Sequence, residues 1–446
     1  MSLYRAMFMA SPLSEGFSDT ALLQGMLDFE AGLAQALASA GLMDRESAQI
    51  IQDCCRADAI DAAALTQAAG LAGNLAIPLV KQLTALVAAR SPEAARYVHW
   101  GATSQDAIDS GLMLQLRAAL SGTATLLDRL IAVLSAQCER HSKTLMVGRT
   151  WLQHALPVTL GLKLAGTLDA LVRDRQRLRA MQPRVLALQF GGAAGTLASL
   201  GDKGEQVEQA LSEALNLPRS ATPWHAQRDR LTELAGWYAG LTGTLGKLAR
   251  DMSLLMQSEV GEISEPQAAG RGGSSTMPHK RNPVLCAAIL SAANRVPALM
   301  SGLYAGMVQE HERALGGWQA EWQSLPQLIV LSGAALAHST ELIDGLEVHE
   351  DAMQRNLGLT QGLIMAEAVT LALANEMGRQ QAHHHIEQCC RRALDTRQSL
   401  LSVLSADETV RTRLSHSTLE ALLDPANATG SAARFIQQVL AAARES

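Results

Sequence analysis

The sequence predicts an all-α protein in which a central bundle of long helices is flanked by two smaller helical domains. Three observations predict it. Hydrophobic residues make up 48% of the chain and aromatic ones only 3%, so packing is aliphatic, in the Leu and Ala that favour helix over strand. The stretches between Pro92 and Pro157 and between Pro326 and Pro425 contain no proline. Finally, Leu231, Leu234, Tyr238, Leu241, Leu245, Leu248, Met252 and Leu255 step alternately by three and four residues, a 3.5-residue period. At 1.5 Å per residue this ladder is roughly 37 Å of helix, and helices of that length pack against others like them.

In chain order, Ser18-Asp19 supplies capping chemistry, and Leu22, Met26, Phe29, Leu33 and Leu37 share one face of a helix over 18–38. Short helices punctuated by Pro78 and Pro92 follow, giving an N-terminal helical domain, 1–105; everything before His99 is expected to serve packing. From Asp106 to Leu145 aliphatic residues recur at helical spacing and open the central domain, 106–344. Val185 to Phe190 reads as strand-like and leads into Gly191-Gly192-Ala193-Ala194-Gly195. That run does not fit G-x-G-x-x-G and no β–α alternation follows, so a turn is expected rather than a dinucleotide loop. Gly358, Gly362 and Gly378 break the helices of a C-terminal domain, 345–446. Within it His383-His384-His385 occupies adjacent helix positions, which point apart and lack the i, i+4 geometry of a shared metal site, so no metal is expected.

A formal charge of -6 and a pI near 6.1 exclude a nucleic-acid binder relying on an overall basic character. The cysteines, Cys54-Cys55, Cys138, Cys286 and Cys389-Cys390, make neither a disulfide framework nor a zinc C-x-x-C, which suits a reducing cytosol. After Arg5 no apolar leader develops before Ser11, Pro12, Ser14 and Glu15 interrupt it. No run of 18 apolar residues occurs, and the richest candidate, 283–307, carries Asn294, Arg295 and Pro297. A cytoplasmic protein with neither membrane nor nucleic-acid partner is expected.

Against this acidic background, 267–309 contains no Asp or Glu while holding Arg271, Lys280, Arg281 and Arg295. Within it lies Gly270-Arg271-Gly272-Gly273-Ser274-Ser275-Thr276-Met277-Pro278-His279-Lys280-Arg281-Asn282-Pro283. Its glycines leave backbone N–H groups unobstructed. Asn282-Pro283 reads as N-cap and first helical residue, with the positive end of a helix beside Lys280. The combination suits an anion. Two further clusters share its content. His99-Trp100-Gly101-Ala102-Thr103-Ser104-Gln105-Asp106 opens the first long helix and, taken plainly, is capping by Thr103 or Ser104. Gly148-Arg149-Thr150-Trp151-Leu152-Gln153-His154, taken plainly, is an interhelical loop.

Together the T-S-x-D, G-R-T-x-x-Q and G-S-S-x-M-P-x-K-x-N-P elements resemble those of the fumarase/aspartase superfamily, and the resemblance runs from near the start of the chain to near its end. It implies a homotetramer that pools twenty long helices, with active sites where three subunits bring the three motifs together, and with no cofactor. It also implies a C–O or C–N bond formed or broken β to a carboxylate, through a carbanion drawn out as an aci-carboxylate. Fixed positive charge and hydrogen-bond donors must hold that dianion, a role the resemblance gives to Lys280 and Asn282. Proton transfer at carbon falls to Ser274, with Ser275 its nearest rival; the loop's N–H groups and cations supply the basicity. Thr103, Ser104, Arg149 and Gln153 match positions that hold substrate carboxylates, Arg149 with a fork suited to a bidentate grip. His99, Trp151, Ser275, Met277 and Arg313 complete the expected binding set.

One departure narrows the chemistry. Argininosuccinate and adenylosuccinate lyases carry histidine directly after the threonine of the second motif, where this chain has Trp151. Histidine suits protonation of an expelled amine or alkoxide; a carboxylate, with an acid pKa of about 4, needs no proton. Trp151 therefore points to lactonisation, in which one substrate carboxylate adds across a double bond conjugated to another. The substrate expected from the resemblance is 3-carboxy-cis,cis-muconate, of the protocatechuate branch of aromatic catabolism. Phe190 to Thr196, and Trp318-Gln319-Ala320-Glu321-Trp322 after His311-Glu312-Arg313, support that branch. The competing expectations are an adenylosuccinate lyase, favoured by Met277 to Pro283 and opposed by Trp151, and an inactive structural homologue, opposed by the intact motifs.

Overall fold

The structure is a computed structural model that describes residues 11–445; Arg5, used above in the leader expectation, lies outside them. Helix α1 (Asp19–Ser39) begins where the Ser18 side chain accepts the Ala21 N–H at 3.3 Å, and Met26, Phe29, Leu33 and Leu37 are buried along it. Three short helices follow, α2 (Arg45–Cys54), α3 (Ala62–Ala72) and α4 (Ala76–Ala88), the first two capped by Asp44 and Asp61. The middle of the chain then forms α5 (Ser104–Arg140), α6 (Leu160–Val185), α7 (Gly204–Leu215), α8 (Asp229–Leu255), α9 (Val284–Ala305) and α10 (Gly317–Asp344). All eight rungs of the 3.5-residue ladder lie on α8 and are buried.

By its internal contacts the chain divides into two compact units. The first comprises the chain up to Asp128, Asp174–Gly246 and Ala288–Ala337; the second comprises Arg129–Arg173, Lys247–Ala287 and the chain from His338 onward. In unit one, α1 packs on α2 and α7. It also meets α5 so closely that a Cβ on Gly25 would lie 2.8 Å from the carbonyl oxygen of Gly111, a separation open only to glycine. Two buried polar pairs join helices of this unit: Tyr238 Oη lies 2.8 Å from Thr123 Oγ1, and Thr242 Oγ1 donates to Ser332 Oγ at 2.7 Å.

Unit two holds what periodicity did not foresee. The segment expected as an interhelical loop is an antiparallel hairpin, β1 (Leu145–Thr150) and β2 (Gln153–Thr159), with an irregularity between Val147 and Arg149. A second pair, β3 (Ile263–Ser264) and β4 (Glu347–Val348), joins segments far apart in sequence. Strands of two residues, such as β3 and β4, are too short to show a period of two. The C-terminal helices are α11 (Glu350–Gly358), α12 (Ala366–Met377), α13 (Arg379–Thr396), α14 (Leu400–Ala406), α15 (Glu408–Arg411), α16 (His416–Leu423) and α17 (Ala432–Arg444). Val369, Leu373, Ile386, Leu400, Leu404 and Leu419 belong to their common core.

One expectation is corrected. Val185 ends α6, and 186–190 form no strand; Leu188 instead donates to the Pro218 carbonyl at 2.8 Å and accepts from Trp224 Nε1 at 2.9 Å. Pro183, Pro297 and Pro326 sit inside α6, α9 and α10. By length and composition alone α5 and α9 would cross a membrane. In α5, however, Gln105, Asp106, Asp109, Ser110 and Thr123 are buried and hydrogen-bonded to protein groups.

Candidate active site

At the start of α5 the Thr103 N–H donates to Asp106 Oδ2 at 2.9 Å, the backward half of a capping box. Asp106 is fully buried and does more than cap. Its Oδ2 also accepts from Gly192 N–H at 2.9 Å, and its Oδ1 accepts from Gly191 N–H at 3.1 Å and pairs with His225 Nε2 at 2.7 Å. The glycine-rich turn is thus a turn, as expected, and its N–H groups close on the chain's own carboxylate. Just upstream, His99 has a left-handed φ of 61°, and its Nδ1 lies 2.6 Å from Oε1 of buried Glu30 on α1. Burial draws the His99 pKa down, but the charge and hydrogen bond of Glu30, with the charge of Asp106, leave it raised. Glu30 departs from the expectation that residues before His99 serve packing alone. Thr103 and Ser104 are half-buried beside this cluster.

Arg313 joins the same cluster. Its Nε donates to Gln105 Oε1 at 3.2 Å and its Nη2 to the Ala193 carbonyl at 3.1 Å. Gln105 in turn donates to Asp109 Oδ2 at 3.0 Å and to the His225 carbonyl at 2.9 Å. Behind them, buried Arg228 forks onto Asp109 at 2.8 and 3.0 Å and reaches Glu321 at 2.6 Å, while Trp318 Nε1 donates to Asp109 at 3.1 Å. Burial opposes the charge on Arg228, and the two carboxylates more than restore it; burial leaves the Glu321 carboxyl raised despite Arg228. Sequence reasoning singled out Trp318 and Glu321 as a signature but missed Asp109 and Arg228. Its one available signal was an Asp four residues after Gln105.

In unit two, Trp151 and Leu152 form the two-residue turn of the β1–β2 hairpin, both at positive φ, 52° and 62°. They are 97% and 77% exposed. Turns of this kind favour Asn-Gly, so two bulky apolar residues here are held in strain and on display. Gln153, paired with Thr150, is also exposed. The bidentate grip expected of Arg149 is present but taken: its Nη1 and Nη2 donate to Glu262 Oε2 and Oε1 at 2.9 and 2.7 Å. Glu262 is fully buried and also accepts from Asn356 Nδ2 at 2.8 Å. A cavity of about 700 Å³ is lined by Gly148, Arg149, Thr150, His154, Lys163 and Lys247 among others, and by no residue of 270–283.

The serine loop of unit two is closed at its neck. Gly273 bridges Arg281, and the Asn282 N–H donates to the Gly272 carbonyl at 2.8 Å. Gly272 has φ 66°, and a Cβ there would lie 2.6 Å from the Asn282 oxygen, so glycine is required. Within the loop, Ser274 Oγ accepts from the N–H groups of Thr276 and Met277, at 3.3 and 3.0 Å. Arg271 is paired with Glu341; Arg281 forks onto Glu347 at 2.9 and 3.2 Å and donates to the Glu265 carbonyl at 2.6 Å. Lys280 is exposed, and among the described residues no carboxylate pairs with it. Ser275 and Met277 are exposed beside it, and Asn282 is half-buried at the neck.

The expected capping by Asn282 is corrected. Helix α9 begins at Val284, and the N–H groups of Leu285 and Cys286 donate to Glu265 Oε2 and Oε1 at 3.1 and 2.8 Å. The positive end of the helix is therefore satisfied by a buried carboxylate of the chain. His99, Thr103, Ser104 and Arg313 thus belong to unit one. The serine-loop residues and the hairpin residues Arg149, Trp151 and Gln153 belong to unit two.

The adjacent histidines of α13 also hold a surprise. His385 Nε2, Cys389 Sγ and an Asp407 oxygen lie within 4.8 Å of one another, so an i, i+4 pair exists after all, between His385 and Cys389. Arg392 Nη2 donates to Asp407 at 2.8 Å and to Cys389 Sγ at 3.3 Å, and Asp407 accepts the Val410 N–H at 3.1 Å as the N-cap of α15. A guanidinium already supplies the positive charge that a cation would bring.

The chain matches the family described as "Lyase" over residues 5–298 and the one described as "Adenylosuccinate lyase C-terminus" over residues 362–439. It is 55% identical over 439 residues to the 3-carboxy-cis,cis-muconate cycloisomerase of Pseudomonas aeruginosa, covering 98% of this chain and 96% of that protein. It is 47% identical over 444 residues to the protein of the same name from Acinetobacter baylyi, covering 99% and 98%. The crystal structure of 3-carboxy-cis,cis-muconate lactonizing enzyme from Pseudomonas putida matches it with a TM-score of 0.95 at 51% identity, covering 99% of each chain.

Proposed function

The chain belongs to the fumarase/aspartase superfamily, and on that premise we propose that it is a cycloisomerase that lactonises 3-carboxy-cis,cis-muconate to carboxymuconolactone in protocatechuate catabolism. One observation carries the chemistry: Ser274 Oγ is fed by two backbone N–H groups in the same loop that presents Lys280 without a carboxylate partner among the described residues. A substrate carboxylate oxygen bonds to the alkene carbon β to a second carboxylate, and the electron pair moves onto that second group. Lys280 and Asn282 hold the resulting aci-carboxylate. Ser274, or a water it positions, delivers the proton to the α carbon, with Ser275 the alternative. One of three carboxylates becomes an ester, so one proton is taken up per turnover. The lengthwise similarity to 3-carboxy-cis,cis-muconate cycloisomerases supports this choice of substrate.

His99, Thr103, Ser104, Gln153, Met277 and Arg313 orient the tricarboxylate, and Trp151 covers the reacting end. Arg149, with its fork on Glu262, serves by shaping the hairpin that carries Trp151. The protein works as a cytoplasmic homotetramer with no cofactor. The described residues of each chain include five helices of 22 to 37 residues, so four copies would pool twenty, and the exposed hairpin tip is suited to meet another copy. The division into 1–105, 106–344 and 345–446 belongs to the same proposal.

The test is to mix purified protein with 3-carboxymuconate and, separately, with adenylosuccinate. Loss of the diene absorbance with uptake of one proton supports the proposal. Cleavage of adenylosuccinate without lactone formation replaces it with a C–N lyase, and inertness toward both replaces it with a structural homologue.

A further inference from the structure

His99 combines features that packing does not require. Its backbone is left-handed, at φ 61°, where a residue with a Cβ is held only by its surroundings. Its side chain is 17% exposed, and its Nδ1 lies 2.6 Å from Oε1 of Glu30, whose side chain is 1% exposed. The other Glu30 oxygen, Oε2, is buried with no hydrogen-bond partner. A carboxylate withdrawn from water would normally collect several donors; among the described residues this one is committed to a single imidazole. Donation from Nδ1–H fixes the tautomer and ring orientation and leaves Nε2 as the remaining polar atom.

We infer that Glu30 is the positioning residue that holds His99 so that Nε2–H donates to a carboxylate of the substrate. This rests on the proposed lactonisation at a site that includes His99. Two charged groups face the ring, Glu30 from α1 and Asp106 from α5. Asp106 is engaged by Thr103, Gly191, Gly192 and His225, whereas among the described residues Glu30 has no other hydrogen-bond partner. Cys55, close to Glu30, is pushed up by burial and by that carboxylate and stays a neutral thiol. Burial alone would discharge His99; the carboxylates keep its charge to a pH above the ordinary 6.5. The grip on the substrate is therefore full below that raised value and is lost as pH rises through it. Glu30 touches no substrate in this scheme; it acts through the imidazole.

The experiment pairs kinetics with histidine titration by NMR, in wild type, Glu30→Gln and His99→Gln. The His99 signal is the one missing from His99→Gln, and it should titrate above 6.5 in wild type and at least about one unit lower in Glu30→Gln. For 3-carboxymuconate, Glu30→Gln should raise KM about tenfold near neutral pH, with kcat altered less than about threefold. The pH at which KM climbs should move down with the titration. Matching KM–pH profiles in wild type and Glu30→Gln would overturn the inference while lactonisation stands. Absence of lactonisation in wild type would instead overturn the proposed function, and the NMR comparison would still judge whether Glu30 holds the charge on His99. If Glu30→Gln does not fold, the wild-type titration decides, and a value at or below 6.5 rejects the inference.

Discussion

Ser274 Oγ accepts the backbone N–H of Met277 at 3.0 Å, with that of Thr276 beside it at 3.3 Å. Paired N–H groups converging on one oxygen form a concavity for negative charge, and a hydroxyl held there loses its proton more readily than one in water. The loop therefore prepares the oxygen rather than merely exposing it. Ser274→Ala should lower kcat by about 10²-fold or more, with circular dichroism and melting temperature near wild type because the hydroxyl anchors no core element. Near-normal turnover would pass the role to Ser275 or a bound water.

Trp151 sits at φ 52° and is 97% exposed, a costly position for an indole. Trp151→His leaves the turn and its register intact, so the variant should fold with an unchanged helical spectrum. Lactonisation should fall at least several-fold, because imidazole offers a proton that a carboxylate nucleophile does not need and loses the apolar cover of the indole. An unaltered kcat/KM would remove the leaving-group reason for assigning Trp151 to this chemistry.

What could be read from the sequence was what repeats or what matches a motif locally. The α8 ladder repeats and was legible to the residue, and the serine loop announced itself by charge and glycine content. The partners of the motif residues could not be read, because they are remote: Glu262 lies 113 positions from Arg149, and Glu30 lies 69 from His99. A buried acid meets its partner through tertiary packing, and no local period marks it. The same holds for Glu265, whose carboxylate takes over the helix start that Asn282-Pro283 had suggested would be locally capped. The β1–β2 hairpin escaped because its turn residues, Trp and Leu, are the opposite of the usual turn chemistry.

Arg228 tests the buried scaffold behind the first motif. It is the cation between Asp109 and Glu321, both nearly inaccessible to water. Arg228→Met would leave two carboxylates facing each other in the interior, and unfolding free energy at neutral pH should drop by about 3–5 kcal/mol. The Glu321 carboxyl, already raised by burial and held down by Arg228, rises further without the guanidinium, so the deficit should shrink as pH falls and it takes up a proton. Urea titrations at neutral and mildly acidic pH measure both effects. A loss below about 1 kcal/mol, or one that does not change with pH, would mean that the network is not carrying the load assigned to it.

Asp407 gives a second handle on charge, in the C-terminal helices. Burial pulls its pKa up, but Arg392, His385 and the Val410 N–H outweigh burial and hold it at about 2 against the ordinary 3.8. A depressed folded pKa means that the ionised carboxylate stabilises the fold above 3.8 and that this contribution disappears as pH falls through about 2. Asparagine keeps the capping acceptor for Val410 while removing the charge that Arg392 and His385 meet. The stability difference between wild type and Asp407→Asn should therefore be constant above about pH 5, where protonation is negligible, and narrow steadily at lower pH. Comparing the two proteins at each pH cancels the titration of all other carboxylates. A difference that stays the same down to the acid limit would show that Asp407 acts only as a cap and that its charge contributes nothing to the fold.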